Sequence, residues 1–281
     1  MRKNIYDILR DRGLSVDQEY TRLYQLFHEN NTLGAFTGSF SVRDFVEKHF
    51  RRFDKRFIGR CLSFQDFNRT YGFSFSPISA AFNNLSVDML VYYMEYLYNL
   101  LFQVRIMCSN FSSQYLSRGD NHIDLMVSNI ESLADELGYS AVAKECVFIF
   151  VKTTPEVQIV AESLEESLAV KVFEYNHHRF RGNLDAKLGV LKYLADNIEP
   201  EKRVLEGLNK TWSSNLFQMF HKFVRHNNDD NPVISTMSDE ETERWYDEIY
   251  QMWLLAKLML DNVQRSTEVK ELLGKINAGQ N

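Results

Sequence analysis

The most reactive grouping in the sequence is the run Arg225-His226-Asn227-Asn228, which follows an apolar helical pattern and precedes a polar loop. A guanidinium holds a phosphate through paired hydrogen bonds, and an imidazole exchanges a proton near neutral pH. Together these groups form the minimum set for cleaving a phosphodiester through an RNA 2′-hydroxyl without a metal. In this hypothesis Arg225 and His226 are catalytic, and Asn227 and Asn228 bind the substrate.

A purely structural role accounts for the same pair. Basic side chains in the last turn of a helix hydrogen-bond its final carbonyls and complement the negative end of its dipole. Arg225 and His226 stand at the end of an apolar stripe that runs from Val204 to Phe223. The residues themselves therefore leave both roles open.

Helix-start patterns predict the elements that position these residues. After residue 152 we expect four helices, at roughly 154–178, 184–197, 200–226 and 239–263. The first follows Thr153-Thr154-Pro155-Glu156, which combines a capping box with proline in the first turn, and the last follows the capping box Ser238-Asp239-Glu240-Glu241. We place a domain boundary near residue 152, between a helical N-terminal domain (1–152) and a four-helix bundle (153–281).

The N-terminal part is also expected to be helical. The capping box Ser15-Val16-Asp17-Gln18 predicts a helix to about Asn30, and a loop over 31–41 follows. Further apolar stripes predict helices over 42–53, 88–108 and 123–137. The apolar run Cys146–Val151 is either a buried strand or the end of a helix. With 12 Gly and 4 Pro in 281 residues, the chain has few residues that interrupt helices, and we expect an all-α fold.

The C-terminal half, about residues 154 to 265, resembles the HEPN superfamily, in particular its abortive-infection type. Four segments carry the likeness: Asp185–Leu194 with Lys187, Glu199-Pro200, Phe223–Asn228 and Ser238–Tyr246. The resemblance implies a four-helix bundle, a homodimer in which two Arg-and-His motifs face each other, and a metal-independent RNase. It also implies a role in toxin–antitoxin systems or anti-phage defence.

The sequence departs from the catalytic pattern of that family. The pattern is an arginine, a polar residue and, after four to six positions, a histidine, but here the corresponding positions are Asp230, Asn231 and Pro232. Two interpretations follow. Either His226 transfers the proton, or the bundle is a catalytically silent module that dimerises and binds nucleic acid or a toxin within a defence or toxin–antitoxin complex.

A basic and aromatic stretch over 43–75 provides a second candidate surface. Basic groups can follow a nucleic-acid backbone while aromatic rings stack on bases. We assign Arg51, Arg52, Lys55 and Arg56 to an RNA-approach surface. The alternative places the phenylalanines in the core and the charges on a solvated helix face.

A cluster at the end of the first C-terminal helix comprises His177, His178 and Arg181. In an up-down-up-down bundle the first and third helices end on the same side, so these groups are predicted to bind substrate beside Arg225. The alternative is a basic cluster that only complements the end of its helix.

Composition narrows the class of protein. A net charge of -6 argues against a wholly basic nucleic-acid-binding surface and leaves room for a local basic groove. Three cysteines without metal-binding spacing predict no disulfide framework, metal or cofactor. The N-terminus lacks the apolar segment of a signal peptide, and the apolar stretch 89–108 carries polar residues at helical spacing. We therefore expect a cytoplasmic protein without a membrane span. The resemblance to the HEPN superfamily implies its partners: RNA, a second copy and a protein of a defence system.

Overall fold

Helices dominate the computed structural model, which describes residues 15–29, 33–35, 38–72, 85–110, 119–225 and 233–278. The predominance of helix confirms the expected mainly helical class. The chain divides into two units, Met1–Val151 and Lys152–Asn281, each with its own hydrophobic core.

The first unit contains six helices within the described ranges and two short hairpins. In chain order its elements are α1 (Val16–His28), β1 (Leu33–Ala35), β2 (Gly38–Phe40), α2 (Val42–His49), α3 (Lys55–Ile58), α4 (Phe64–Thr70), α5 (Val87–Asn110), α6 (Gly119–Leu137), β3 (Tyr139–Lys144) and β4 (Val147–Lys152). Strands β1 and β2 pair antiparallel, with Gly34 opposite Ser39. The β3–β4 connection is a two-residue turn, which only an antiparallel pair permits.

The strands correct two details of the sequence analysis. The predicted loop over 31–41 contains the β1–β2 hairpin, and strand β3 was not anticipated. The apolar run ending at Val151 is strand β4 and does not end a helix. Gly138 and Glu145 both have left-handed backbone angles, φ 76° and 55°, and these positions separate β3 from α6 and from β4. The exposed turn at Glu145 carries no glycine, so the sequence gives little sign of the hairpin.

Polar side chains along helix α5 hold strand β4. The Phe150 N–H donates to Oε2 of Glu95 at 2.8 Å. Asn99 makes two bonds to Phe148, donating Nδ2–H to its carbonyl and accepting its N–H, both at 2.7 Å. These bonds pair backbone groups that an edge strand otherwise leaves open. No helix in the described ranges has both the length and the apolar character needed to cross a bilayer.

We expect Asn99→Leu to lower the free energy of unfolding by about 2–4 kcal/mol, because both backbone groups of Phe148 lose their partner in a half-buried position. Urea denaturation measures this difference. The same substitution at Asn262, which is exposed, is the control and is expected to change stability by less than about 0.5 kcal/mol. Equal effects at the two positions would contradict the role assigned to Asn99.

The second unit is built from α7 (Pro155–Glu162), α8 (Glu166–Tyr175), α9 (Leu184–Ile198), α10 (Lys202–Leu208), α11 (Lys210–Met219) and α12 (Asp239–Ala278). A π-helical turn, Phe220–Arg225, continues α11. Helix α9 packs against α8, α12 and the π-helical turn. Trp253 of α12 is fully buried and donates its indole N–H to the Leu194 carbonyl of α9 at 3.0 Å.

Three predicted helix boundaries are wrong in this unit. The segment 154–178 is divided between α7 and α8, and Ser163 at the break donates its hydroxyl to the Val160 carbonyl. The segment 200–226 is divided at Asn209, whose side chain accepts the Trp212 N–H and begins a new helix. The final helix continues beyond residue 263 to Ala278.

Candidate functional site

Arg225 ends the π-helical turn and is placed by the apolar residues before it. Phe220 and Val224 are buried in the core of the second unit, and the turn packs against α9. A π-helical turn changes the direction in which the following side chains project, and such turns are frequent at functional sites. His226, Asn227 and Asn228 lie outside the described residues.

The Arg225 guanidinium binds two carboxylates, and these three side chains are called the Arg225 cluster below. Nη2 lies 2.9 Å from Oδ1 of Asp196, and Nη1 lies 3.0 Å from Oε2 of Glu199. The Arg225 side chain is 33% exposed, and both carboxylates are more exposed still. One cation and two anions give the cluster a formal charge of −1. Arg225 is therefore an accessible anion-binding group that already holds two anionic oxygens.

The two predicted substrate-binding histidines lie in the interior. His177 and His178 are each 8% exposed, and their ring centroids are 4.2 Å apart. Nδ1 of His177 accepts the Arg179 N–H and so caps the short 3₁₀ turn His178–Phe180. Arg181, by contrast, is exposed and acts electrostatically on Glu243. Of this predicted group, only Arg181 presents its charge at the surface.

Arg181 precedes the first turn of α9, whereas Asp196 and Glu199, which hold Arg225, lie at the other end of that helix. The prediction that this group lies beside Arg225 is therefore wrong.

A polar network around the buried Lys187 side chain joins three helices of the second unit. Lys187 Nζ of α9 lies 2.8 Å from Oε1 of Glu243 and 2.6 Å from Oδ1 of Asp247, both on α12. The Tyr175 hydroxyl of α8 donates to the same Asp247 oxygen at 2.9 Å. The Gly182 N–H donates to Glu243 at 2.8 Å. We call these residues the Lys187 network.

The protonation states of Glu243 and Tyr175 follow from this arrangement. Burial raises the pKa of Glu243, but hydrogen bonds from Lys187 and Gly182 and the Lys187 charge outweigh it and hold the pKa below its ordinary value. Burial and the neighbouring Asp247 carboxylate raise the pKa of Tyr175 far above its usual range, so this tyrosine stays neutral. The network thus contains one ammonium group, two carboxylates and a hydroxyl donor, all mutually paired.

The sequence analysis gave Lys187 no chemical role, although a signal was present. Lys187 lies among the inward-facing leucines of α9, and Glu243 and Asp247 are one turn apart on α12. A lysine at a core position requires a buried acidic partner. The pattern indicates that an acid faces it but does not identify which one.

The basic and aromatic stretch that contains the predicted RNA-approach surface is divided between surface and core. Arg51, Arg52, Lys55 and Arg56 are all exposed. Arg56 pairs with Asp54 at 2.7 Å, and Nε of Arg51 donates to the Leu62 carbonyl. The phenylalanines of the stretch that the structure describes as buried are Phe50, Phe53, Phe57, Phe64 and Phe67. These five rings are part of the core of the first unit and are not available to stack on RNA bases, whereas the basic groups remain at the surface.

Two charged clusters of the second unit are thus candidates for chemistry. In the Lys187 network the cation is buried, with its side chain 8% exposed, and is already paired with both carboxylates. The Arg225 side chain is 33% exposed, so of these two cations it is the one that an anionic substrate can reach. No family model, curated protein or solved structure matches this chain.

Proposed function

We propose that the protein is a metal-independent RNase of the abortive-infection or toxin type, acting in anti-phage defence through a HEPN-like four-helix bundle in the second unit. The observation that supports this proposal is the geometry of Arg225, whose Nη1 and Nη2 each hold an anionic oxygen at 2.9–3.0 Å. The same two nitrogens suit the non-bridging oxygens of a phosphodiester. Arg225 then stabilises the charge that develops at phosphorus, and His226 transfers the proton.

For RNA to bind, its phosphate replaces Asp196 and Glu199 on Arg225. Exposed ion pairs contribute only about 0–1 kcal/mol each, so this exchange costs little. Arg51, Arg52, Lys55 and Arg56 of the first unit attract the RNA backbone and raise its local concentration. Asn227 and Asn228 are the further proposed substrate contacts.

Growth and RNA integrity in cells that express the protein test this function. Wild type is compared with Arg225→Ala and His226→Ala at equal protein levels, so that unfolding is not mistaken for inactivation. We expect growth arrest with RNA fragments from wild type and neither effect from the two variants. Arrest without RNA loss, or RNA cleavage that survives both substitutions, would contradict the proposal.

The second candidate is a catalytically silent HEPN-like module that dimerises and binds nucleic acid or a partner toxin in a defence complex. The formal charge of −1 on the Arg225 cluster favours it, because two carboxylates repel an approaching phosphate. Under this alternative Asp196 and Glu199 permanently neutralise Arg225. RNA binding without turnover by the surface at Arg51–Arg56 would support the silent module.

A double variant separates the two candidates. If Arg225 is a phosphate site, Asp196→Asn with Glu199→Gln is expected to raise affinity for a 2′-O-methyl RNA oligonucleotide by about tenfold, measured by fluorescence anisotropy at fixed salt. Adding Arg225→Ala is expected to remove the gain. The control, Asp185→Asn with Glu206→Gln, removes the same charge from exposed positions of the same unit. An equal gain in the control would show that only overall charge matters and would contradict Arg225 as the phosphate site.

A further inference from the structure

Helix α12 extends beyond the core of the second unit. It has 40 residues, whereas α9, against which it packs, has 15. Ala256 is the last residue of α12 that is buried. Every residue over 262–278 is exposed except the half-buried Ser266, and this part of the helix is about 25 Å long. We call residues 261–278 the terminal segment.

Apolar side chains form a stripe along the terminal segment. Val269, Leu272, Leu273 and Ile276 are 47–57% exposed, and their spacing places them on one face of the helix. In proteins the packing of such a face supplies most of the stability of a helix. Because the rest of the described chain leaves these four side chains open to water, the stripe is available to a second helix.

The charges of the terminal segment indicate which partner fits the stripe. The segment contains three acidic and three basic residues, namely Asp261, Glu268, Glu271, Arg265, Lys270 and Lys275. Their formal charges sum to zero, so the segment has no net attraction for a nucleic acid or an anionic membrane. A helix with the same mixture of charges can instead bring opposite charges together. The composition therefore favours a second copy of the same segment.

The order of residues along the stripe favours an antiparallel pair. Arg265, Val269, Leu272 and Ile276 follow one another at spacings of four, three and four residues, which is the pattern of a coiled-coil seam. In a parallel pair each of these residues meets its own copy, and the two Arg265 side chains bring like charges together in the seam. In an antiparallel pair Val269 lies opposite the partner's Leu272, and Arg265 lies opposite the partner's Ile276.

Arg265 is compatible with this antiparallel seam. Its guanidinium is bound to Asp261, one turn earlier on the same helix, at 2.7 Å. The charge is thus already paired, and the methylene stem of Arg265 can cover the partner's Ile276.

The charges beside the seam select one register. Glu268 and Lys275 are seven residues apart, so they lie on the same flank of the seam. In the antiparallel pair described above, Glu268 lies opposite the partner's Lys275, and two-fold symmetry forms the same ion pair a second time. A shift of the register by seven residues would instead place Glu268 opposite its own copy, where the two carboxylates repel.

We propose that two copies of this chain dimerise through an antiparallel pairing of their terminal segments over residues 265–276. The apolar stripe is buried between the two helices, and Glu268 pairs with Lys275 across both edges of the seam. The contact is short, so we expect a reversible dimer with a dissociation constant on the order of 10 μM. None of these residues belongs to the Arg225 cluster, so the proposal is independent of the RNase function.

Sedimentation velocity of the full chain between about 1 and 200 μM tests the pairing, using nuclease-treated protein so that bound RNA does not contribute. Glu268→Lys places a lysine opposite Lys275 twice and is expected to weaken the dimer at least about tenfold. Adding Lys275→Glu reverses both charges and is expected to restore the affinity to within about threefold of wild type. The matched control, Glu271→Lys, makes the same charge change on the outward face of the helix and is expected to alter affinity by less than about twofold.

The pairing is wrong if the wild-type chain stays monomeric at every concentration. It is also wrong if the dimer survives both Glu268→Lys and Leu272→Asp, which places an acid in the seam, because the dimer then uses another surface. If the double charge reversal restores nothing, Glu268 and Lys275 do not lie opposite each other and the antiparallel register is overturned. Circular dichroism of each variant is expected to match wild type, because the substitutions lie beyond the buried part of α12.

Discussion

Replacing Arg225 by alanine is expected to lower the rate of RNA cleavage by about 100-fold or more while leaving the protein folded. The expected kinetic loss is large because, in the proposed mechanism, the guanidinium acts where charge develops in the transition state. The cost to stability is small, about 1–2 kcal/mol at most, because both ion pairs of Arg225 are exposed to water. Single-turnover cleavage of a fluorescent RNA in excess EDTA measures the first effect, and thermal unfolding measures the second.

Two further variants sharpen this test. Lys222→Ala removes an exposed cation from the same π-helical turn and is expected to retain cleavage within about threefold of wild type. Arg225→Lys keeps the charge but loses the paired geometry, so it is expected to fall between wild type and Arg225→Ala. If Lys222→Ala and Arg225→Ala lose cleavage equally, Arg225 attracts RNA and has no specific role in the chemistry.

The fold could be predicted where a helix repeats its apolar face over several turns. Tyr20, Leu23 and Phe27 form such a stripe and are all buried in the first unit. Prediction failed where the structure depends on one local contact, as at Asn209, where a side-chain cap begins α11 inside an otherwise continuous stripe. The hairpin strands β1 and β2 are three residues each, too short for an alternating pattern to identify them.

The sequence could predict only the part of the candidate site that lies within one continuous segment of the chain. The sequence identifies Arg225 as a cation at a helix end, but its partner Asp196 is 29 residues earlier and belongs to another helix. Likewise, Lys187 meets Asp247 from 60 residues away. Pairings at such separations depend on how the helices pack, which the periodicity of a single helix does not contain. This is why the sequence leaves Arg225 uncommitted whereas the structure shows it bound to two acids.

Lys187→Met is expected to lower the free energy of unfolding by about 2–3 kcal/mol, although methionine has nearly the same length. The substitution leaves Glu243 and Asp247 facing each other without their cation. The effect is smaller than for a fully enclosed pair because the Asp247 side chain is 52% exposed and partly screened by water. Lys192→Met, at an exposed position of the same helix, is the control and is expected to cost less than about 0.5 kcal/mol. Urea denaturation at pH 7 measures both.

The dependence of the free energy of unfolding on pH in the acidic range distinguishes the loss of this ion pair from a change in packing. The pKa of Glu243 in the folded protein lies below its ordinary value of 4.5, so its contribution is complete above that value and is lost as the pH falls through the folded pKa. Lys187→Met removes the largest cause of the lowered pKa and leaves the Gly182 hydrogen bond, so the stability of the variant is expected to fall less steeply than that of wild type below pH 4.5. Adding Glu243→Gln to Lys187→Met is expected to restore part of the lost stability, since it removes a half-buried carboxylate that has lost its ammonium partner and faces Asp247. Suppose that wild type and Lys187→Met lose stability in parallel as the pH falls, and that Glu243→Gln restores none of the lost stability. Lys187 would then stabilise the bundle through packing of its side chain, and its charge would contribute nothing.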